Sequence, residues 1–170
     1  MNKTSFAGWA AALASVAALT LLDQITKILA SDRLEDGPFV IIPGVFKLRY
    51  LENRGAAFGM LQNQRVFFLV LTIVFLAIIA RIYLKIPTDR KYLPLRILSI
   101  VVTAGAIGNF IDRLILVYVR DFLYFSLIDF PIFNVADIYV TVSAFVFFVL
   151  VLIYYKDSDL EFLSEKKDNE

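Results

Sequence analysis

Four stretches of this chain are long and apolar enough to cross a bilayer, and that property decides its fold class. A spanning helix needs about 20 mostly apolar residues, and residues 6–30, 66–84, 93–117 and 138–155 each come close to or exceed that length. Hydrophobic residues fill 59% of the 170 positions and charged residues only 19%, too few to give a soluble domain a polar surface. Lys3 precedes the first run as it would in a cleavable leader. The run is too long for one, however, and Asp23 and Lys27 stand where a cleavage region belongs. It is expected to persist as a helix. The predicted fold is an all-α polytopic membrane protein, one integral membrane domain over 1–170, with four transmembrane helices and a small extracytoplasmic β-sheet.

The sheet is expected in the 31–65 loop. Residues 39–42 and 45–51 flank Pro43-Gly44, a turn pair. Phe46, Leu48 and Tyr50 alternate with Lys47 and Arg49, the period-two pattern of a half-buried strand. A lone hairpin is marginal in water, so it must lean on the bundle or the bilayer. Orientation follows from Lys/Arg density in short loops. Arg81, Lys85, Arg90, Lys91 and Arg96 crowd around the 85–92 connection, while Lys3, Lys156, Lys166 and Lys167 mark the two ends. Both termini are therefore predicted cytoplasmic, with loops 31–65 and 118–137 outside. The 156–170 tail reads as a solvated helix end or disorder.

The sequence has no histidine and no cysteine, and its 17 basic residues against 16 acidic ones leave a net charge of +1. Triads built on His, thiol nucleophiles, histidine-ligated metals and disulfides are excluded. The near-neutral balance argues against nucleic acid as a partner. Chemistry must run on carboxylates, Lys, hydroxyls or backbone, and no cofactor or metal is expected.

Polar residues inside spans are functional hypotheses by default. Asp23 and Lys27 stand at i,i+4 and can pair, either as a self-neutralising structural unit or as part of a site. Asn109, Asp112 and Arg113 share one helical sector behind Ala104, Gly105 and Gly108, small residues that let another helix approach. Their structural reading is interhelical glue. Asp121 and Asp137 flank the last outer connection, where two carboxyls sharing a partly dry site divide into one base and one acid. On spacing alone Asp137 is equally a helix cap or first-turn acid, and Asp129 on the same loop is a third candidate. The segment from Glu52 to Met60 carries Asn53 and Arg54 as donors beside Gly55, Ala56, Ala57 and Gly59, which remove side-chain bulk; a tight entry into the second span explains it equally well.

Taken in order, Asp23-Gln-Ile-Thr-Lys27, Asn53-Arg-Gly-Ala-Ala-Phe58, Gly108-Asn-Phe-Ile-Asp-Arg113, Val119-Arg-Asp-Phe122 and Phe133-Asn-Val-Ala-Asp137 resemble the lipoprotein signal peptidases, or signal peptidase II, over nearly the whole chain. Arg120 and Gly59 look like variation at tolerant positions of those motifs. The resemblance implies a bacterial cytoplasmic-membrane aspartic endopeptidase without a metal, which removes signal peptides from diacylglyceryl-modified prolipoproteins just before the lipidated cysteine. It implies Asp121 and Asp137 as the catalytic pair. Asn53, Gly55, Asn109, Asp112, Arg113, Asn134 and Ala136 would bind substrate or support the pair, with Asp23 and Lys27 structural. Lipid-bearing precursors and membrane lipids are the expected partners, and a monomer the expected assembly. A small ion or proton transporter using Asp23, Lys27, Asp112 and Arg113 as a relay is the rival from another class, and a non-catalytic assembly subunit a third.

Overall fold

A computed structural model describes residues 5–55 and 60–163. Lys3, Ala56, Ala57, Phe58, Gly59, Lys166 and Lys167 lie outside the described residues. Among those described, four helices can cross a membrane by length and composition: α1 (Phe6–Arg33), α2 (Arg65–Lys85), α3 (Leu93–Ile115) and α4 (Val135–Val149), the last continued by a wider π turn over Leu150–Tyr154. Side chains are arranged for lipid rather than water. Tyr83 is the one buried residue described in α2, while Val66, Phe67, Val70 and Ile73 are half or more exposed. A helix apolar all round needs apolar surroundings.

α3 packs against the other three helices. Gly105 and Gly108 permit this closeness: a Cβ on Gly105 would stand 2.6 Å from the Ala136 carbonyl, and one on Gly108 2.4 Å from Asp23 Oδ2. Neither neighbour can retreat, one being α4 backbone and the other a buried, hydrogen-bonded carboxylate. Gly105→Ala and Gly108→Ala are each expected to cost roughly 1–3 kcal/mol, the range for overpacking, read as a lowered unfolding midpoint in detergent.

The sheet has three antiparallel strands in the order β1 (Phe39–Ile42), β2 (Phe46–Asn53), β3 (Val119–Phe125). Its third strand comes from the connection after α3, which the period-two signal did not mark. Register shifts by one residue in β2: Leu48 faces Leu123 but Leu51 faces Asp121. The extra residue takes Tyr50 off the Phe46–Leu48 face and puts Asn53, not Glu52, on the face of Asp121, because a one-residue slip flips every later side chain.

α1 runs on to Arg33 rather than 30 and α2 spans Arg65–Lys85 rather than 66–84, and two further boundaries bear on the site. α4 starts at Val135 rather than 138, because Asn134 caps it, so Asp137 sits inside the first turn. α3 stops at Ile115, before Val117 at φ 73°, and Arg65 donates to the carbonyls of Arg113 and Leu114 at 2.8 and 2.6 Å. The tail is also corrected as far as Leu163. It folds back in short turns, Asp157–Asp159 and Glu161–Leu163, with Tyr92 stacked on Tyr155 and edge-on to Phe162. Lys91 pairs with Asp159 at 2.5 Å, and the Tyr92 hydroxyl donates to the Asp159 carbonyl.

Candidate active site

The ends of α1 and α3, the start of α4 and the sheet meet in one place, and there Asp121 and Asp137 open on a common cavity of about 420 Å³. Asn53, Gly55, Asn109 and Arg113 line it too, and Phe130, Phe133, Ile138 and Val142 make its remaining wall largely apolar. Asp121 comes from β3 and is only 2% exposed. Its Oδ2 accepts from Asn53 Nδ2 at 2.8 Å and its Oδ1 from Asn134 Nδ2 at 2.6 Å.

Asp137 is both a cap and a cavity residue. Its Oδ2 accepts the Asn134 backbone N–H at 3.1 Å, while Asn134 Oδ1 accepts the Asp137 N–H at 3.1 Å, a reciprocal capping box. The other oxygen, Oδ1, accepts from Asn109 Nδ2 at 2.7 Å. The two readings left open by spacing are therefore compatible, one per oxygen. Asn134 joins the carboxyls, holding Asp121 with its amide nitrogen and the first turn of α4 with its amide oxygen. Burial, then the charge of Asp137, pushes the Asp121 carboxyl up to about 7, against the pull of the Asn53 and Asn134 donors. The two carboxyls thus face the same space, with the proton of Asp121 held well above the ordinary carboxyl range.

Behind the cavity lies a closed charge cluster. Asp23 and Lys27 pair at 2.8 Å with both side chains fully buried, and Lys27 also reaches Asp112 at 3.7 Å and donates to Asn109 Oδ1 at 2.9 Å. Asp23 Oδ1 accepts the Ala136 N–H at 2.9 Å, so an anion sits on a free donor in the first turn of α4. Arg113 stands apart, its guanidinium 4.7 Å from the Phe68 ring centroid and donating to the Gly55 carbonyl at 3.3 Å. Asp129 does not line the cavity; it accepts from the Tyr124 hydroxyl on an exposed surface.

Arg120 is bound into this charge cluster. It donates to Asp112 through its backbone N–H, Nε and Nη2 at 3.0, 3.2 and 2.7 Å, and to Gln24 Oε1 at 2.9 Å. Gln24, given no role in the sequence beyond its place in the first motif, donates to Asp112, Asp23 and the Gly108 carbonyl. Nothing in the sequence marked 119–125 as a strand, so the side Arg120 takes was not legible: next to an inward Asp121, it faces the opposite way, toward the charges of α1 and α3.

The profile of the family described as Signal peptidase (SPase) II matches residues 15–153. The chain belongs to that family. This peptidase is 44% identical over 147 residues to the lipoprotein signal peptidase of Streptococcus thermophilus strain CNRZ 1066, covering 85% of this chain and 92% of the relative. It is 42% identical over 143 residues to that of Caldanaerobacter subterraneus subsp. tengcongensis, covering 83% and 95%. Its fold is similar to that of a bacterial membrane enzyme solved in meso at 2.3 Å resolution (TM-score 0.75, 29% identity, 100% and 98% of the two chains) and to another at 1.9 Å (0.75, 30%, 91% and 99%). The chain is thus a multi-pass membrane protein and a protease.

Proposed function

We propose that this peptidase is an aspartic endopeptidase that removes the signal peptide from diacylglyceryl-modified prolipoproteins, cutting immediately before the lipidated cysteine. The observation that carries the reading is the pair Asp121 and Asp137, tied together by Asn134 and Asn109, on a largely apolar cavity. The ionised carboxylate takes a proton from a water as its oxygen adds to the scissile carbonyl carbon. The protonated carboxyl gives its proton to the carbonyl oxygen. The tetrahedral species then collapses, the C–N bond breaks and the cysteine nitrogen takes a proton, leaving a carboxylic acid on the signal peptide. The two groups titrate as a unit, so base and acid are roles of the pair. Asn53 and Asn134 orient Asp121, Asn109 orients Asp137, and Arg113 with the Gly55 carbonyl flanks the bound chain.

The location proposed is the bacterial cytoplasmic membrane, with both termini cytoplasmic, a monomeric assembly, and the pair near the outer face, where water reaches it while acyl chains stay in the bilayer. The basic crowding of Arg81, Lys85, Arg90 and Lys91 at the far end of the bundle supports this orientation.

The test is cleavage of a lipidated precursor by the purified peptidase in vesicles, with the new amino terminus read by mass spectrometry. A cut at any bond other than the one before the lipidated cysteine would overturn the assignment. Because Asp121 holds its proton up to about 7, well above the ordinary carboxyl value of 3.8, kcat/KM is expected to fall as pH rises past about 7 and the pair loses its shared proton. Asp129→Asn is expected to leave cleavage near wild type, since that carboxyl serves Tyr124 on the surface and Asn tolerates its φ of 49°.

A further inference from the structure

A second apolar recess, about 250 Å³, lies along α3 below the first. Phe75 and Ile79 of α2 form one wall, Ala144 and Phe147 of α4 the other, and Phe162 and Leu163 of the tail turn also line it. On α4, Thr141 lines the upper recess and Ala144, three positions on, the lower. On α3, Leu95, Ser99, Val102, Ala106, Asn109 and Arg113 fall on one stripe at three- and four-residue steps, running from the tail turn to the aspartates. The Ser143 hydroxyl, in a side chain only 3% exposed, lines the lower recess without a hydrogen-bond partner among the described residues. A buried, unpaired hydroxyl is costly to leave so.

The reach of this groove is set by α3. Leu95 and Asn109 are fourteen positions apart, about 21 Å at 1.5 Å per residue. That matches an apolar signal segment of 7–15 residues and falls short of the hydrocarbon core, about 30 Å, that a membrane anchor of about 20 residues must cross. Asp157 and Glu161 are exposed on the tail turns beside Phe162, opposite in sign to the basic residues that precede a signal's apolar run.

We infer that the groove between α2 and α4 seats the apolar helix of the precursor's signal peptide, and that the tail turn carrying Phe162 and Leu163 is its floor, which limits the length of segment that can bring its cleavage point to Asp121 and Asp137. The inference rests on the peptidase reading. It makes the tail a specificity element that separates cleavable signals from full-length membrane anchors of equal hydrophobicity.

The experiment uses the full chain in vesicles with lipidated precursors whose apolar segments run from about 10 to 22 residues, spanning the signal and anchor lengths. Wild-type kcat/KM is expected to drop at least tenfold between segments of about 14 and 20 residues, and Phe162→Ala to reduce that ratio. As a measurement independent of the variant's folding, a photoreactive residue placed about twelve positions before the cleavage point should crosslink wild-type peptidase at 143–147 or 162–163. Cleavage without length dependence, or crosslinks confined to other lipid-facing surfaces, overturns the floor while leaving the peptidase standing. Labelling of the groove by a photoreactive phospholipid that precursor does not displace overturns it also, making the groove a lipid site. Failure to cut any precursor overturns the peptidase reading and this one with it.

Discussion

Asp121→Asn and Asp137→Asn are each expected to lower the cleavage rate by about 10³-fold or more, the scale of losing a positioned general acid or base, while the folded protein persists. The two substitutions remove different things. In Asp121→Asn one oxygen that accepts from Asn53 or Asn134 becomes an NH2 group facing a donor, so one hydrogen bond is lost along with the titrating group. In Asp137→Asn the capping oxygen can remain toward the Asn134 N–H, but the amide nitrogen then meets Asn109 Nδ2. Helix content by circular dichroism and unfolding midpoints in detergent separate lost chemistry from lost structure. A correctly folded variant that cuts lipidated precursor at a near wild-type rate removes that residue from the pair. The alkaline fall in kcat/KM should vanish into the residual rate in both variants, because no shared proton remains to be lost.

How much of this was legible beforehand depended on the length scale of the signal. The four spans announce themselves through apolar runs of about 20 residues, which no soluble arrangement accommodates. The hairpin showed in the alternation of Phe46 to Tyr50, yet nothing in a period-two pattern says where an extra residue sits, so the shift after Leu48 that turns Asn53 toward Asp121 was invisible. β3 escaped for a related reason: Val119–Phe125 is a strand only because β2 offers it an edge, and Arg120-Asp121 near its start reads as a polar loop. Asp137 looked like a cap, and it is one; spacing has no means of counting carboxylate oxygens, and the second oxygen is what reaches Asn109. The tail looked solvated because its sequence is rich in charge, while the few aromatic and aliphatic residues that dock it, Leu160 and Phe162 against Tyr92 and Tyr155, are too sparse for any periodic signal.

Lys27→Met should cost the fold about 3–5 kcal/mol, the range for removing one partner of a buried ion pair. Its ammonium is fully buried and serves Asp23, Asp112 and Asn109 together. Methionine fills much the same volume, so the loss is electrostatic rather than a cavity. Asp112 retains Arg120, but Asp23 retains only neutral donors, the Ala136 N–H and Gln24 Nε2. Its uncompensated charge is therefore the larger part of the penalty, and adding Asp23→Asn to Lys27→Met should recover part of it. At 2–4 °C per kcal/mol for a chain of this size, the midpoint should fall by roughly 6–20 °C and rise again in the double variant. Below that midpoint the Lys27 variant should still cut precursor far faster than Asp121→Asn, since Lys27 bonds neither carboxyl of the pair and reaches them only through Asn109 and the field of its charge. Loss of cleavage with an unchanged midpoint would contradict this, and would move Lys27 from holding the bundle together to tuning the proton on the aspartates.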